Sequence, residues 1–135
     1  MSSNMSAAYI TDVAAVLPNQ PVGNDAIESV LGMINGKPSR ARRIILRSNG
    51  IQRRHYAIDP ATGLSTHTNA QLTAEAVRAL SDSDAILANM DCLVCGTSMA
   101  DQLLPNHAVM VHGELANKAC EVVSTSGVCV AGMTA

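Results

Sequence analysis

Four cysteines carry most of the covalent chemistry open to this 135-residue chain, and one is set apart by its neighbours. The closing stretch reads Glu121-Val-Val-Ser-Thr-Ser-Gly-Val-Cys129-Val-Ala-Gly-Met-Thr-Ala135. Val122 and Val123 look like the end of a buried strand, Ser124 to Gly127 are turn formers, and small helix-compatible residues follow the cysteine. A strand, a tight Ser/Gly turn and a nucleophile at a helix start form a recurrent way of presenting a reactive side chain. Unpaired amides and the dipole at a helix N-terminus attract negative charge, so a sulfur placed there is a candidate nucleophile. The sequence stops soon afterwards with no Gly or Asn cap, an ending expected of a cut rather than of a domain boundary.

The other cysteines read differently. Cys92-Leu-Val-Cys95 has CxxC spacing, but it lies in an apolar run from Met90 that ends at Gly96 and reads as a buried strand. Residues three apart on a strand point to opposite faces, so this pair is not expected to share a metal or a disulfide. With no second CxxC and no His pair at ligand spacing, no metal site is expected. Cys92, Cys95 and Cys120 are expected to be small buried hydrophobes in a reducing compartment.

Composition narrows the function classes. Hydrophobic residues make up 47% and charged residues 15%, which fits one globular domain over residues 1–135. Tyr9 and Tyr56 are the only aromatics, too few for a base-stacking platform, and the net charge of −2 argues against a nucleic-acid partner. No apolar run reaches the length of a membrane span, and the N-terminus has neither a basic nor an apolar leader segment. The expected location is the cytoplasm, away from any membrane.

Strand and helix signals alternate along the chain, which predicts an α/β fold. Ala7–Leu17 is β-rich. Asp25-Ala-Ile-Glu28 resembles a capping box opening a helix with Ile27, Val30, Leu31 and Ile34 on one face, ending at Asn35-Gly36. A basic helix over 39–49 ends at Gly50, and 51–58 is a strand candidate. Residues 66–80 form a helix with Leu72, Ala76, Ala79 and Leu80 as its buried side. The strand over 90–95, a helix over 106–115 and a strand over 119–123 lead into the cysteine turn.

The order of these features resembles the N-terminal part of a β-ketoacyl-carrier-protein synthase III of the thiolase-like superfamily. The matching pieces are Gly50-Ile51-Gln52-Arg53-Arg54-His55, the strand followed by Gly96-Thr97-Ser98, Leu104-Pro105 ahead of a helix, and Val128-Cys129-Val-Ala-Gly132-Met133. Gly132 lies three residues after the cysteine, a spacing more like that of elongating ketosynthases; the type III enzymes usually have it two after. The resemblance implies the N-terminal half of a layered α-β-α-β-α fold with a mixed sheet. It implies that Cys129 is acylated by a carrier thioester, and that a malonyl or β-ketoacyl thioester then condenses onto the bound acyl group in fatty acid or polyketide synthesis. Thr97, Ser98 and Leu104 would line the substrate pocket, Leu104 reaching the partner subunit's acyl site in a homodimer. A His and an Asn, or a second His, from the C-terminal half of the synthase would complete the site. That half is thus an expected partner, in the same or another chain, and this portion alone is expected to be inactive. None of His55, His67, His107 and His112 falls at the family's catalytic positions. No cofactor is implied: phosphopantetheine, on acyl carrier protein or coenzyme A, belongs to the substrate. Alternatives are an acyltransferase using the same cysteine and a non-catalytic ketosynthase-like subunit, which would tend to lack it.

Seven of the nine lysines and arginines fall between Lys37 and Arg54, with no acid among them. A solvated helix face is one reading. The other is a dock for an acyl carrier protein, whose acidic body and phosphate would seek such a field, through Arg42, Arg43 and Arg47. Where coenzyme A users of the family place a Trp and an Arg, this chain has Ile44 and Ser48, which favours the carrier protein.

Overall fold

The computed structural model describes residues 7–135, so the first six residues of the expected domain lie outside the described residues. Its centre is a β-α-β unit: β3 (Cys92–Gly96), α5 (His107–Leu115) and β4 (Glu121–Thr125). The strands run parallel and in register, Leu93 opposite Val122 and Gly96 opposite Thr125. Before them come β1 (Val22–Gly23), α1 (Ile27–Leu31), α2 (Arg42–Asn49), β2 (Arg53–Arg54), α3 (Asn69–Arg78) and α4 (Ser83–Asn89). After them, a 3-10 turn (Val128–Val130) runs directly into α6 (Ala131–Thr134).

The core lies where α3 and α5 cover one face of the β3–β4 pair. Leu93, Cys95, Val111 and Leu115 meet Ala70, Ala74 and Ala108 there. Those alanines explain a misread helix face. At the crossing with α5 only a methyl fits, so Ala70 and Ala74 are buried, whereas Leu72, Ala76 and Leu80 are half-buried on the flank and Ala79 is exposed. Dispersion and apolar burial both favour such close contact. The start of α3 is fixed by a capping box between Thr68 and Gln71. It is fixed again by Asp101, which accepts from the amides of Asn69 at 2.7 Å and Ala70 at 2.9 Å. A carboxylate on a helix N-terminus is favourable. It also ties the long loop after β3 to α3.

Other expectations need correcting. Ala7–Leu17 is extended and half-buried at every second residue from Asp12, but it has no strand partner among the described residues. It is held instead by Asp12, whose carboxylate accepts from the Ser81 amide at 2.8 Å and hydroxyl at 2.9 Å. These hydrogen bonds, the backbone one foremost, hold the Asp12 carboxyl below its ordinary value. The Asp25–Glu28 capping box does not form; Glu28 instead accepts from the Ser39 amide and pairs with Arg42. Helix α1 stops at Gly32 (φ 81°), short of Asn35-Gly36. Only Arg53–Arg54 of the strand expected over 51–58 pair with β1, antiparallel to Val22–Gly23. Helix α4 was not anticipated, although the run Ser81-Asp82-Ser83-Asp84 ahead of Ala-Ile-Leu-Ala is a helix-start signal.

Helix α5 ends on Ala116 with φ 51°, a left-handed conformation that an L side chain resists. Ala116→Gly is therefore expected to stabilise the protein by about 0.5–1 kcal/mol, seen as a higher urea midpoint at unchanged slope.

Candidate active site

The residues that could do chemistry gather at the C-terminal ends of β3 and β4, where open α/β sheets build their sites. Strand β4 ends at Thr125, Ser126 and Gly127 turn, and Cys129 sits in the single helical turn that opens α6. Its side chain is exposed rather than sealed among apolar groups. Val128 has φ 50°, an outlying conformation for a β-branched residue that costs about 1–3 kcal/mol unless its surroundings enforce it.

Here the surroundings do enforce it. The Ser98 hydroxyl donates to the Val128 carbonyl at 3.1 Å, and the Ala131 amide donates to the same oxygen. The Thr125 hydroxyl donates to the Ala131 carbonyl at 2.9 Å, and the Thr97 amide to the Thr125 carbonyl at 3.1 Å. Gly96 completes the dock from below. A Cβ on it would lie 2.5 Å from the Ala131 oxygen, so the start of α6 packs directly on the backbone of β3. The Val128 carbonyl and the Cys129 amide belong to one peptide and point opposite ways. Holding the carbonyl inward therefore aims that N–H outward.

A cleft of about 480 Å³ adjoins this turn, lined among others by Thr97, Ser98, Met99, Leu103, His107 and Ser124. Two of the expected pocket residues, Thr97 and Ser98, are in its wall. Leu104 is not; it is 84% exposed on the projecting loop, while its neighbour Leu103 takes the place in the wall. Sequence reasoning missed Asn106, His107 and Ser124. The Ser124 hydroxyl accepts from the Ala108 amide at 2.8 Å and donates to the Asn106 side-chain oxygen at 3.0 Å, fastening β4 to the head of α5. The signal available was Asn106 itself, a strong N-cap residue.

The remaining cysteines separate by environment. Cys92 and Cys95 lie on opposite faces of β3, as expected, and Cys95 is buried. Cys92 is exposed, against expectation, because α6 covers the second face of the strand only near Gly96. Desolvation by its surroundings and then the charge of Glu121 push the Cys92 thiol up, and burial pushes up that of Cys95. No cluster of three or more His, Cys, Asp or Glu side chains able to hold a metal occurs among the described residues. No helix among them is long and apolar enough to cross a membrane.

Three histidines serve loops. His55 Nδ1 bonds the carbonyls of Pro18 and Asn19, His112 Nε2 that of Lys118, and His67 Nε2 lies 3.6 Å from Glu75. In the basic segment Arg42 pairs with Glu28 at 2.8 Å and is half-buried. Arg43 and Arg47, one turn apart on α2, are exposed and flank a hollow of about 610 Å³ with Ile44 and Ser48. An acid from α1 thus claims one of the three arginines expected to dock the carrier.

No family model matches the chain. Among curated proteins it is 30% identical over 129 residues to a "Beta-ketoacyl-[acyl-carrier-protein] synthase III" of Bordetella petrii, covering 96% of this chain and 37% of that one. A protein of the same name from Roseobacter denitrificans is 36% identical over 109 residues, 80% of this chain and 30% of that one. The chain thus spans about a third of the length of the curated relatives it matches. Among solved structures, a tetronic acid condensing enzyme superposes with a TM-score of 0.72 at 26% identity, over 92% of this chain and 37% of that one.

Proposed function

From a chain that is β-ketoacyl-[acyl-carrier-protein] synthase III-like, matching the N-terminal part of those enzymes in a partial thiolase-like fold, we propose that it carries the nucleophile of a condensing enzyme. The observation that carries this reading is the exposed Cys129 sulfur on a turn held by four separate hydrogen bonds at the end of a parallel strand pair. The deprotonated sulfur attacks the carbonyl of an acyl thioester. The carbonyl π pair moves to oxygen, where the outward Cys129 N–H donates to it. Collapse of that intermediate expels the carrier's thiolate and leaves the acyl group on sulfur. A malonyl thioester by losing CO2, or a β-ketoacyl thioester by losing an α-proton, then supplies the carbanion that attacks the bound acyl carbonyl, forms the carbon–carbon bond and releases the Cys129 thiolate. That second step needs acid–base groups from the rest of the synthase.

Iodoacetamide is expected to alkylate Cys129 ahead of the other three cysteines, since Cys95 is buried, Cys120 is half-buried and the Cys92 thiol is pushed up. Saturating acyl-carrier donor should protect it. Alkylation at an undiminished rate under donor would contradict the reading.

Ser98 serves this chemistry through the Val128 peptide. Ser98→Ala is expected to slow acylation about tenfold with the KM for donor unchanged, because the Ala131 amide still holds part of the peptide. Ser98→Thr should restore it. An equal loss in both variants would reduce Ser98 to a wall residue.

The acyl donor in this reading is an acyl carrier protein bearing phosphopantetheine, which is substrate and not resident cofactor. The enzyme acts in the cytoplasm as a homodimer, with Leu104 on its exposed loop facing the partner subunit. Arg43 and Arg47 supply the free field for docking; Arg42 contributes through α1–α2 packing. Reversing Arg43 and Arg47 to Glu should slow acylation from the carrier protein about tenfold, more at low salt, and leave a small thioester mimic unaffected. Equal slowing of both donors would remove the docking role.

A further inference from the structure

We propose that His107 gives the cleft a hydrogen-bond acceptor for an O–H or N–H group carried by the thioester that loads Cys129. The proposal rests on the acylation reading above and deepens it. Thr73 fixes the tautomer. Its hydroxyl has one proton, and the Asn69 carbonyl at 2.9 Å can only accept it. The contact of 3.2 Å between Thr73 Oγ1 and His107 Nε2 must then be donated by the ring. In the neutral imidazole this leaves a bare lone pair on Nδ1.

That lone pair has no partner among the described residues. His107 is only 4% exposed, and its Nδ1 is a buried side-chain atom without a hydrogen bond. Buried acceptors in this condition are rare, and they are destabilising until a donor arrives. Three of the cleft's hydroxyls are committed elsewhere. Ser98 donates to Val128, Ser124 to Asn106 and Thr125 to Ala131. The first side-chain-capped amides of α5, those of Ala108 and Val109, are likewise taken by Ser124 and Asn106. His107 lines the cleft that adjoins the Cys129 turn, so a donor that enters this cleft and parts the atoms now covering Nδ1 can reach it. On a thioester, the donor is a hydroxyl of the acyl chain or an amide of the pantetheine arm.

The test measures Cys129 acylation by mass in the protein as its host makes it, with two matched pairs of donors. One pair is a 3-hydroxyacyl thioester and its plain acyl counterpart. The other is an N-acetylcysteamine thioester and an alkyl thioester of equal length without the amide. One pair should show a preference of about tenfold for the donor-bearing member, which identifies the source. His107→Asn, whose Oδ1 falls near the place of Nδ1, should keep that preference, and His107→Leu should reduce it to about one. Because each ratio is taken within one variant, partial unfolding cancels. Flat ratios for both pairs in the unsubstituted protein would mean that the acceptor holds only water, overturning the proposal while leaving the nucleophile intact. Failure of every thioester to acylate Cys129 would remove both together.

Discussion

Cys129→Ala is expected to abolish acyl transfer, by at least about a thousandfold, without unfolding the protein. The magnitude follows from the role: a covalent nucleophile has no substitute, and what remains is the binding and polarisation that the rest of the site offers. The harmlessness to stability follows from position. Cys129 is exposed, its side chain makes no hydrogen bond among the described residues, and it lies outside the core of α3, α5 and the two strands. The turn is instead kept by Ser98, Thr125, the Ala131 amide and Gly96. Circular dichroism and urea midpoint should therefore match those of the unsubstituted protein, with rate the only casualty. Retained transfer in this variant would move the nucleophile elsewhere.

Gly96→Ala should give the next largest loss, by an entirely different route. The added methyl would lie 2.5 Å from the Ala131 oxygen, 2.7 Å from its carbonyl carbon and 3.0 Å from the Gly132 nitrogen. All three are backbone atoms, so no side-chain rotation relieves the clash, and α6 must lift from β3. Overpacking of this kind costs about 1–3 kcal/mol. Lifting α6 strains its bond from Thr125 and the Val128 peptide together, which displaces the sulfur and its neighbouring N–H. A shift of about 1 Å at a reacting group can cost about a hundredfold in rate, and that is the expected loss here. Gly113→Ala is the control. It lies within α5 with open space where its Cβ would go, so it should be neutral or mildly stabilising. Similar behaviour of the two variants would mean that the β3–α6 contact does not position the site.

The sequence was most legible where local chemistry decides the structure. Gly50 ends α2 in the left-handed conformation (φ 68°), as the basic helix required. The apolar runs gave β3 and β4 within two residues at each end, and Cys92 and Cys95 took opposite faces of the strand. The cysteine turn at the end of β4 was readable because small residues crowd a place where the chain must reverse. What local signals could not give was anything set by distant partners. Glu28 suits a capping box by spacing, yet Arg42 and the Ser39 amide claim it across 14 and 11 residues. The buried face of α3 depends on how closely α5 approaches, which one helix's periodicity does not record. Ala7–Leu17 has strand composition, but a strand is a relation between two segments, and this one pairs with no other among the described residues. His107 was passed over because its significance lies in a bond to Thr73, on another helix.

The most direct measurement locates the acyl group. The protein is incubated with an acyl-carrier thioester in the absence of a second substrate, quenched, digested and mapped by mass. The account predicts the acyl mass on the peptide containing Cys129, none on those containing Cys92, Cys95 or Cys120, and none anywhere in Cys129→Ala. An acyl group found on a different residue, or a folded protein that stays unmodified, would contradict it.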